Sequence, residues 1–310
     1  MKLRIVLVGL MMGAAEVVPG VSGGTIAFIS GFYERLLGAI RRFTPFQLWS
    51  YRRLGPKGLW LELDMNFLLM LFGAMFCSVL LLANVISYLL EYYPLFIWAF
   101  FFGLVFASVF AVGRVLTINV TTLFAVSSGI AMGYGLTQLA PVEAEVSALA
   151  LFMGGCMATC AWILPGMSGS FILLILGLYQ TVIVAIRDFN WTVLAYLGAG
   201  CAVGLIAFSR ILSLLLDRFH TQTVAVLVGV MMGSLPKLWP WKRTTSYVIR
   251  DDGSHLPIVQ EPVSPSAYAE LNGIDPSIDL ALLTCLSGLA VVFMLDRLAM
   301  LTPGSGDGKE

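Results

Sequence analysis

Long apolar runs separated by short polar stretches dominate the chain. The spanning candidates are residues 66–90, 94–113, 120–140, 192–216, 221–238 and 278–298. Each run is close to the ~20 residues that a helix needs to cross the hydrocarbon core of a bilayer. We therefore predict a transmembrane helix for each run, and the predicted fold class is an all-α polytopic membrane protein.

Two further apolar regions, 3–40 and 146–186, are each interrupted by helix-breaking residues. The first contains "EVVPGVSGGTIAFISGFYE" and the second "WILPGMSGSFILLILGLYQ". With a shift of 146, Pro19, Gly20, Ser22, Gly23, Ile26, Gly31 and Tyr33 align with Pro165, Gly166, Ser168, Gly169, Ile172, Gly177 and Tyr179. We predict a hairpin of short helices in each region, broken at these Pro-Gly pairs and either re-entrant or fully crossing. Non-helical backbone at membrane depth must be enclosed by protein or line a cavity.

The order of these segments predicts two repeats, each a hairpin followed by three helices. The first predicted repeat is residues 1–145, with hairpin 3–40 and basic loop 41–65. The second is residues 146–303, with hairpin 146–186 and polar loop 239–277. Residues 304–310 are predicted to form a flexible tail. "GLVFAS" at 103–108 resembles "GVMMGS" at 229–234 with a shift of 126, because the second repeat lacks the long loop. Each repeat crosses an odd number of times, so the second is inverted, as in secondary transporters.

Composition supports the membrane assignment, and the charge distribution predicts its orientation. The 310 residues are 59% hydrophobic and 12% charged, whereas soluble domains carry about 25% charged residues. The net charge is zero, so nothing indicates nucleic acid as a partner. Eight of the 18 basic residues flank the first hairpin: Lys2, Arg4, Arg35, Arg41, Arg42, Arg52, Arg53 and Lys57. The positive-inside rule then places both termini in the cytoplasm and loop 239–277 outside the cytoplasmic membrane.

Loop 41–65 mixes its cations with Phe and Trp. This composition suits a segment that lies on anionic membrane lipids. The same cations also suffice to set the topology, and both interpretations stay open.

The repeated motif is typical of an anion site. Ser22 and Ser168 are placed to cap the helices that follow, and a helix starting there directs free N–H groups and a positive dipole end into the bend. The predicted phosphate-binding residues at the bends are Ser22, Gly23, Gly24, Thr25, Ser168, Gly169 and Ser170. Two such bends facing each other would form one central anion pocket. The alternative is a pair of tight turns that only serve packing.

Three charged residues are candidates for accompanying roles. Glu16 precedes the first break and lies inside an apolar run. Burial of a carboxylate in a membrane costs free energy, so such a residue is a functional candidate by default. We predict that Glu16 couples transport to protons, or else forms an interfacial ion pair. The second repeat has Trp162 at this position, so the predicted site is asymmetric. Arg210 either extends to the interface or binds phosphate. Arg35 is a second, weaker candidate for the phosphate.

No catalytic or metal chemistry is visible in the sequence. The five cysteines lie in apolar segments, where we expect them to pack as small apolar residues. The two histidines, His220 and His255, have no ligand cluster beside them in sequence. A nucleophile–base pair and a Gly-x-Ser-x-Gly motif are also missing. We therefore predict no cofactor, no metal and no enzymatic activity.

The motif pair resembles a known family. "GAAEVVPGVSGGTIAFISGFYERL" and "ILPGMSGSFILLILGLY" are similar to the signature halves of bacterial polyprenyl-phosphate (undecaprenyl-phosphate) translocases, formerly a family of unknown function. The resemblance extends over almost the whole chain, including "GVMMGSLPKL", and departs from the family where Glu16 replaces an expected Asp.

This resemblance implies transport of a polyprenyl phosphate from the outer to the inner leaflet, which recycles the carrier lipid of peptidoglycan synthesis. The polyprenyl-phosphate lipid and membrane lipids are then the expected partners, and the oligomeric state and coupling ion stay open. The alternative is a transporter or channel for a small soluble anion, since the bends alone specify only negative charge. A phosphatase or transferase acting on the same lipid is disfavoured, because the nucleophile–base pair is missing.

Overall fold

The protein is a helical, multi-pass membrane protein. Its structure is a computed structural model that describes residues 2–18, 22–44, 47, 49, 52–139, 146–249 and 255–300. The first half contains α1 (Lys2–Glu16), α2 (Gly23–Ile29), α3 (Tyr33–Ile40), a 3-10 turn (Arg52–Leu54), α4 (Gly55–Glu62), α5 (Met65–Tyr92), α6 (Pro94–Gly113) and α7 (Val120–Thr137). The second half contains α8 (Ala148–Ile163), α9 (Gly169–Ile175), α10 (Tyr179–Arg187), α11 (Trp191–Leu238), β1 (Lys242–Ile249), β2 (His255–Pro262), α12 (Pro265–Asn272) and α13 (Ile278–Met300).

The predicted spans correspond closely to long apolar helices. Helices α5, α6, α7 and α13 match the predicted runs, and α11 contains the remaining two. At ~1.5 Å per residue a straight 48-residue helix would be about 72 Å long, more than twice the ~30 Å hydrocarbon core. Helix α11 is interrupted at Phe219, where the backbone is non-helical with φ −135° and ψ 51°. The interruption falls between the two runs predicted as separate spans.

Ion pairs define one end of the helix bundle, which we call the basic end. Arg41 pairs with Asp217 at 2.9 Å, and Glu34 contacts His220 at 3.1 Å, so the interruption in α11 lies beside the first hairpin. Arg114 pairs with Asp296 at 2.7 Å, which brings the ends of α6 and α13 together. These contacts join segments that the crossing count places on one side of the membrane.

The opposite end, which we call the loop end, carries residues 239–277. The indoles of Trp239 and Trp241 donate to the carbonyl oxygens of Val263 and Pro276 at 2.8 and 2.9 Å. The segment contains a two-stranded antiparallel hairpin of β1 and β2. The sequence predicted only a polar loop here, because short polar strands leave no long apolar run. The all-α prediction therefore describes the membrane part alone.

Glycines allow the helices of the bundle to pack at close range. A Cβ on Gly9 of α1 would lie 2.5 Å from the carbonyl oxygen of Leu71 in α5. A Cβ on Gly155 of α8 would lie 2.3 Å from the carbonyl oxygen of Leu197 in α11. Such distances exclude any larger side chain, so each hairpin is held against its long neighbour by backbone contact.

Candidate functional site

The first bend is capped by two side chains. Ser22 is the N-cap of α2, and its hydroxyl oxygen accepts a hydrogen bond from Gly24 N at 3.0 Å. The carboxylate of Glu16, at the end of α1, accepts from Gly23 N at 3.0 Å. The beginning of α2 thus already holds one negative group, supplied by the protein itself. The predicted break residues Pro19 and Gly20 lie outside the described residues.

Glu16 faces its counterpart from the other hairpin. The side chain of Trp162, the residue that aligns with Glu16, adjoins the carboxylate. The Trp162 ring also stacks on Phe72 of α5, with centroids 6.2 Å apart. The carboxylate is therefore enclosed by the indole and the start of α2. No ion pair to Glu16 is present among the residues that the structure describes, so the alternative of an interfacial ion pair gains no support there.

The second bend is shaped by a glycine in a left-handed conformation. Gly166 has φ +84°, and a Cβ there would lie 2.8 Å from the Ser234 hydroxyl of α11. Ser168 is the N-cap residue of α9, yet its side chain makes no capping hydrogen bond. Its hydroxyl instead lies 2.8 Å from that of Ser170. The start of α9 therefore has no side-chain cap, unlike the start of α2.

The two bends are in direct contact. The Ser22 hydroxyl donates to the Trp162 carbonyl at 2.9 Å, and Gly166 N donates to the Thr25 hydroxyl at 2.9 Å. Ser22 and Thr25 are fully buried, and Ser168 is nearly so. These polar groups lie within the apolar part of the chain, and Ser22 and Thr25 take partners from the other hairpin. The structure thus joins Ser22 and Thr25 of the first bend to the second hairpin through Trp162 and Gly166, while Ser168 contacts Ser170 and phosphate binding itself stays a prediction.

The two candidate arginines lie in other contacts. Arg35 forms a bidentate ion pair with Asp64, at 2.7 and 3.0 Å, and its guanidinium lies 4.3 Å from the Phe67 ring centroid. Arg210 is exposed and donates to the Thr44 hydroxyl at 3.4 Å. Among the described residues, no hydrogen bond or ion pair joins either arginine to the bends. A role at the phosphate would require Arg35 to leave its carboxylate.

Two lysines near the loop end were not among the site residues predicted from the sequence. Lys237 lies in the last turn of α11, with its amine 4.6 Å from the centroid of Phe171, the residue after Ser170. Lys242 begins β1, and its amine lies 3.2 Å from the centroid of Trp98. For Lys237 the sequence did contain a signal, because a lysine beside Pro236 at the end of an apolar run is a candidate for a functional role.

Metal chemistry finds no support in the described part of the chain. No group of three or more His, Cys, Asp and Glu side chains is close enough there to hold an ion. The thiol of Cys156 instead donates to the Gly200 carbonyl at 3.1 Å, a packing contact between α8 and α11.

Two polar bends in contact within a bundle of long apolar helices define a multi-pass membrane protein, and sequence comparison identifies its family. Residues 12–256 match the family described as VCA0040-like, undecaprenyl phosphate translocase-like, and the chain belongs to this family. It is 42% identical over 294 residues to the polyprenyl-phosphate transporter of Vibrio cholerae serotype O1, covering 94% of this chain and 96% of that protein. It is 29% identical over 256 residues to the polyprenyl-phosphate transporter of Staphylococcus aureus, covering 76% of this chain and 85% of that protein. No solved structure matches the chain.

Proposed function

We propose that the protein is a transporter that moves a polyprenyl phosphate, undecaprenyl phosphate in the first instance, from the outer to the inner leaflet of the cytoplasmic membrane. The names of the two relatives support the substrate class. The observation that carries the proposal is the contact of two polar helix breaks within the apolar bundle. Irregular polar backbone at that depth is tolerated where it serves a cavity or a binding site. Return of the lipid to the inner leaflet would recycle it for peptidoglycan synthesis.

The proposed architecture is an inverted repeat of two re-entrant hairpins with three helices each. A Cβ on Gly129 of α7 would lie 2.2 Å from the Val226 carbonyl oxygen of α11, and one on Gly288 of α13 would lie 2.1 Å from that of Phe100 in α6. Val226 follows Phe100 by 126, the shift between the two repeats. The last helix of each repeat thus packs against the other repeat at a corresponding position. This arrangement supports a pseudo-two-fold axis that relates the two repeats.

The re-entrant geometry has its own support. The Arg4 guanidinium, near the start of α1, donates to the Ser30 carbonyl just after α2 at 2.6 Å. The second arm of the first hairpin therefore returns to the level at which the first arm begins. In the second hairpin, α9 and α10 meet at an angle of 112°. Two re-entrant hairpins leave each repeat with three crossings and place both termini on the basic, cytoplasmic side.

The proposed phosphate site lies between the bends. In the present conformation the Ser22 and Thr25 hydroxyls are bonded to the opposite hairpin, so the bends are closed on each other. Separation of the hairpins would release these two hydroxyls, which would then bind a phosphate together with the hydroxyls of Ser168 and Ser170. The isoprenoid tail would remain in the lipid. Movement of one repeat against the other would expose the head group alternately to each side.

Glu16 is the proposed coupling residue. Its carboxylate occupies the N–H of Gly23, the same donor that a phosphate would use. Two anions cannot share that donor without repulsion, so phosphate binding requires Glu16 to move away or to take up a proton. Transport would then depend on proton supply.

A flipping assay in proteoliposomes tests the proposal. Fluorescent undecaprenyl phosphate is quenched by a membrane-impermeant reagent, with and without a pH gradient. We expect the wild type to move the lipid, and Glu16→Gln to reduce the rate about tenfold and abolish the gradient response, since one charged hydrogen bond corresponds to ~1.5–3 kcal/mol. Glu34→Gln is the matched control, because Glu34 is exposed at the basic end beside His220.

The outcome separates the proposal from its alternatives. If Glu16→Gln transports at the full rate with an unchanged gradient response, proton coupling at this residue is excluded. If folded wild-type protein moves no lipid while it transports a small soluble anion, the substrate assignment fails.

A further inference from the structure

A polar cavity lies at the loop end, apart from the two bends. It has a volume of about 460 Å³ and lies between the start of α6 and the β1–β2 hairpin. Its polar lining consists of Lys242, Arg243, Thr244, Gln260, Tyr268 and Asn272. No carboxylate is among the described residues that line it. A cavity of this size accepts a small ligand, and its charge selects an anion.

The amine of Lys242 is buried and lacks a hydrogen-bond acceptor among the described residues. Its nitrogen is shielded from solvent and makes no hydrogen bond in the described part of the chain. The amine lies 3.2 Å from the centroid of the Trp98 ring, a contact that offers no hydrogen-bond acceptor. Burial lowers the pKa of this amine well below its ordinary value, and the nearby charge of Lys237 lowers it further. A buried ammonium with open hydrogen-bond donors is costly unless an anion joins it.

Lys237 connects this cavity with the second bend. It is half-buried at the end of α11, and its charge acts on Lys242. On its other side, its amine faces the ring of Phe171, which directly follows Ser170. In the described residues neither lysine forms an ion pair. Basic side chains therefore lie both at the cavity, where Lys242 is part of the lining, and beside the residue that follows Ser170, where Lys237 contacts Phe171.

We propose that the cavity around Lys242, with Lys237 behind it, is the receiving site for a phosphate monoester, which approaches from the loop end before it reaches the bends. The proposal rests on the function proposed above, since it takes the ligand to be the head group of the transported lipid. Free inorganic phosphate shares this chemistry and is the second source to be tested. In this proposal the amine of Lys242 turns from the Trp98 ring into the cavity to make the main contact, while the neighbouring Arg243 lies 4.0 Å from Glu261.

Equilibrium binding of undecaprenyl phosphate to the purified full chain in detergent tests the site. We expect Lys242→Met to weaken binding about tenfold or more, because a charge-assisted hydrogen bond is lost. Met keeps the apolar contact with Trp98, and Lys242→Arg restores the charge and should restore binding. Lys237→Met should weaken binding by a smaller factor. Lys57→Met, which removes an exposed charge at the basic end, should leave binding unchanged.

Competition separates the two sources of phosphate. Inorganic phosphate should displace the lipid only at a concentration about 100-fold higher or more, since it lacks the apolar chain that contributes to binding. Displacement at equal concentration would overturn the assignment to a lipid head group. Wild-type affinity in both Lys242→Met and Lys237→Met, with unchanged melting temperatures, would overturn the site itself.

The flipping assay distinguishes failure of this inference from failure of the proposed function. If the wild type moves the lipid and Lys242→Met does so with the same half-saturating lipid concentration, the receiving site is wrong and the transporter stands. If the wild type moves no lipid but Lys242→Met still loses phosphate binding, the phosphate site stands and the transport proposal fails. An increased half-saturating concentration in Lys242→Met, reversed in Lys242→Arg, supports both.

Discussion

The two hairpins share seven aligned residues, yet their bends differ in what surrounds the start of the second helix. In the first hairpin, Glu16 and Ser22 both accept hydrogen bonds from the beginning of α2. In the second, Trp162 takes the place of Glu16, and Ser168 contacts Ser170 without capping α9. One bend is closed by the protein's own carboxylate, whereas the other has no side-chain cap. The aligned serines share a backbone conformation, with φ −117° and ψ 134° at Ser22 and φ −115° and ψ 131° at Ser168, while their side chains make different contacts.

Under the proposed function, this difference gives the two bends different roles in binding the phosphate. The uncapped second bend lies beside Lys237 and is suited to receive an anion from the loop end. The capped first bend can release its donors only when Glu16 moves or is neutralised.

The largest expected effect concerns the close packing that both hairpins share. Gly155→Ala places a methyl group against the Leu197 carbonyl oxygen, 2.3 Å away, and Gly9→Ala places one against that of Leu71, 2.5 Å away. We expect each variant to lose about 3 kcal/mol of stability, at the upper end of overpacking costs. Gly198→Ala is the control, because nothing lies within 4 Å of its Cβ. Thermal unfolding in detergent measures the loss, and tolerance of either variant would contradict the close contact.

The next effect separates the two serines. Ser22→Ala removes both the cap of Gly24 N and the hydrogen bond to the Trp162 carbonyl, so we expect a loss of about 1–2 kcal/mol. Ser168→Ala removes only a contact with Ser170, which is exposed, and should change stability by less than about 0.5 kcal/mol. Melting temperatures of the two variants in the same detergent give the comparison. Equal losses would mean that the second bend is capped as well.

The smallest effect concerns the two tyrosines that end the motifs. The buried hydroxyl of Tyr33 donates to the Ile163 carbonyl at 3.0 Å, so Tyr33→Phe should cost about 1 kcal/mol. Tyr179 is half-buried, and its hydroxyl has no such acceptor among the described residues. Tyr179→Phe should therefore be close to neutral. A larger loss for Tyr179→Phe than for Tyr33→Phe would reverse the assignment of the more tightly held hairpin.

Part of the site was predictable because it repeats. Pro165 and Gly166 break an apolar run, and breakers at membrane depth have few explanations, so the bends were visible without a structure. The aligned positions 16 and 162 were visible in the same way. Their contact was not predictable, since an alignment of two segments does not state which of their residues meet in the fold.

Partners that are distant in sequence account for the rest. Asp64 binds Arg35 across 29 residues, and Asp217 binds Arg41 across 176. Both arginines looked available in the sequence because the carboxylates stand in other segments. The pairing of β1 with β2 was missed for a different reason, since strands outside the membrane lack a strong pattern.

The sequence by itself determined the membrane environment, the positions of the spans and the existence of two related helix breaks. These properties follow from local hydrophobicity and from residues that cannot continue a helix. Tertiary structure alone decided that Glu16 occupies the start of α2, that Ser22 and Thr25 bond to the other hairpin, and that the amines of Lys237 and Lys242 lie over the rings of Phe171 and Trp98. Those properties depend on which surfaces meet when the helices pack, because a buried polar group takes its partner from whichever segment lies beside it.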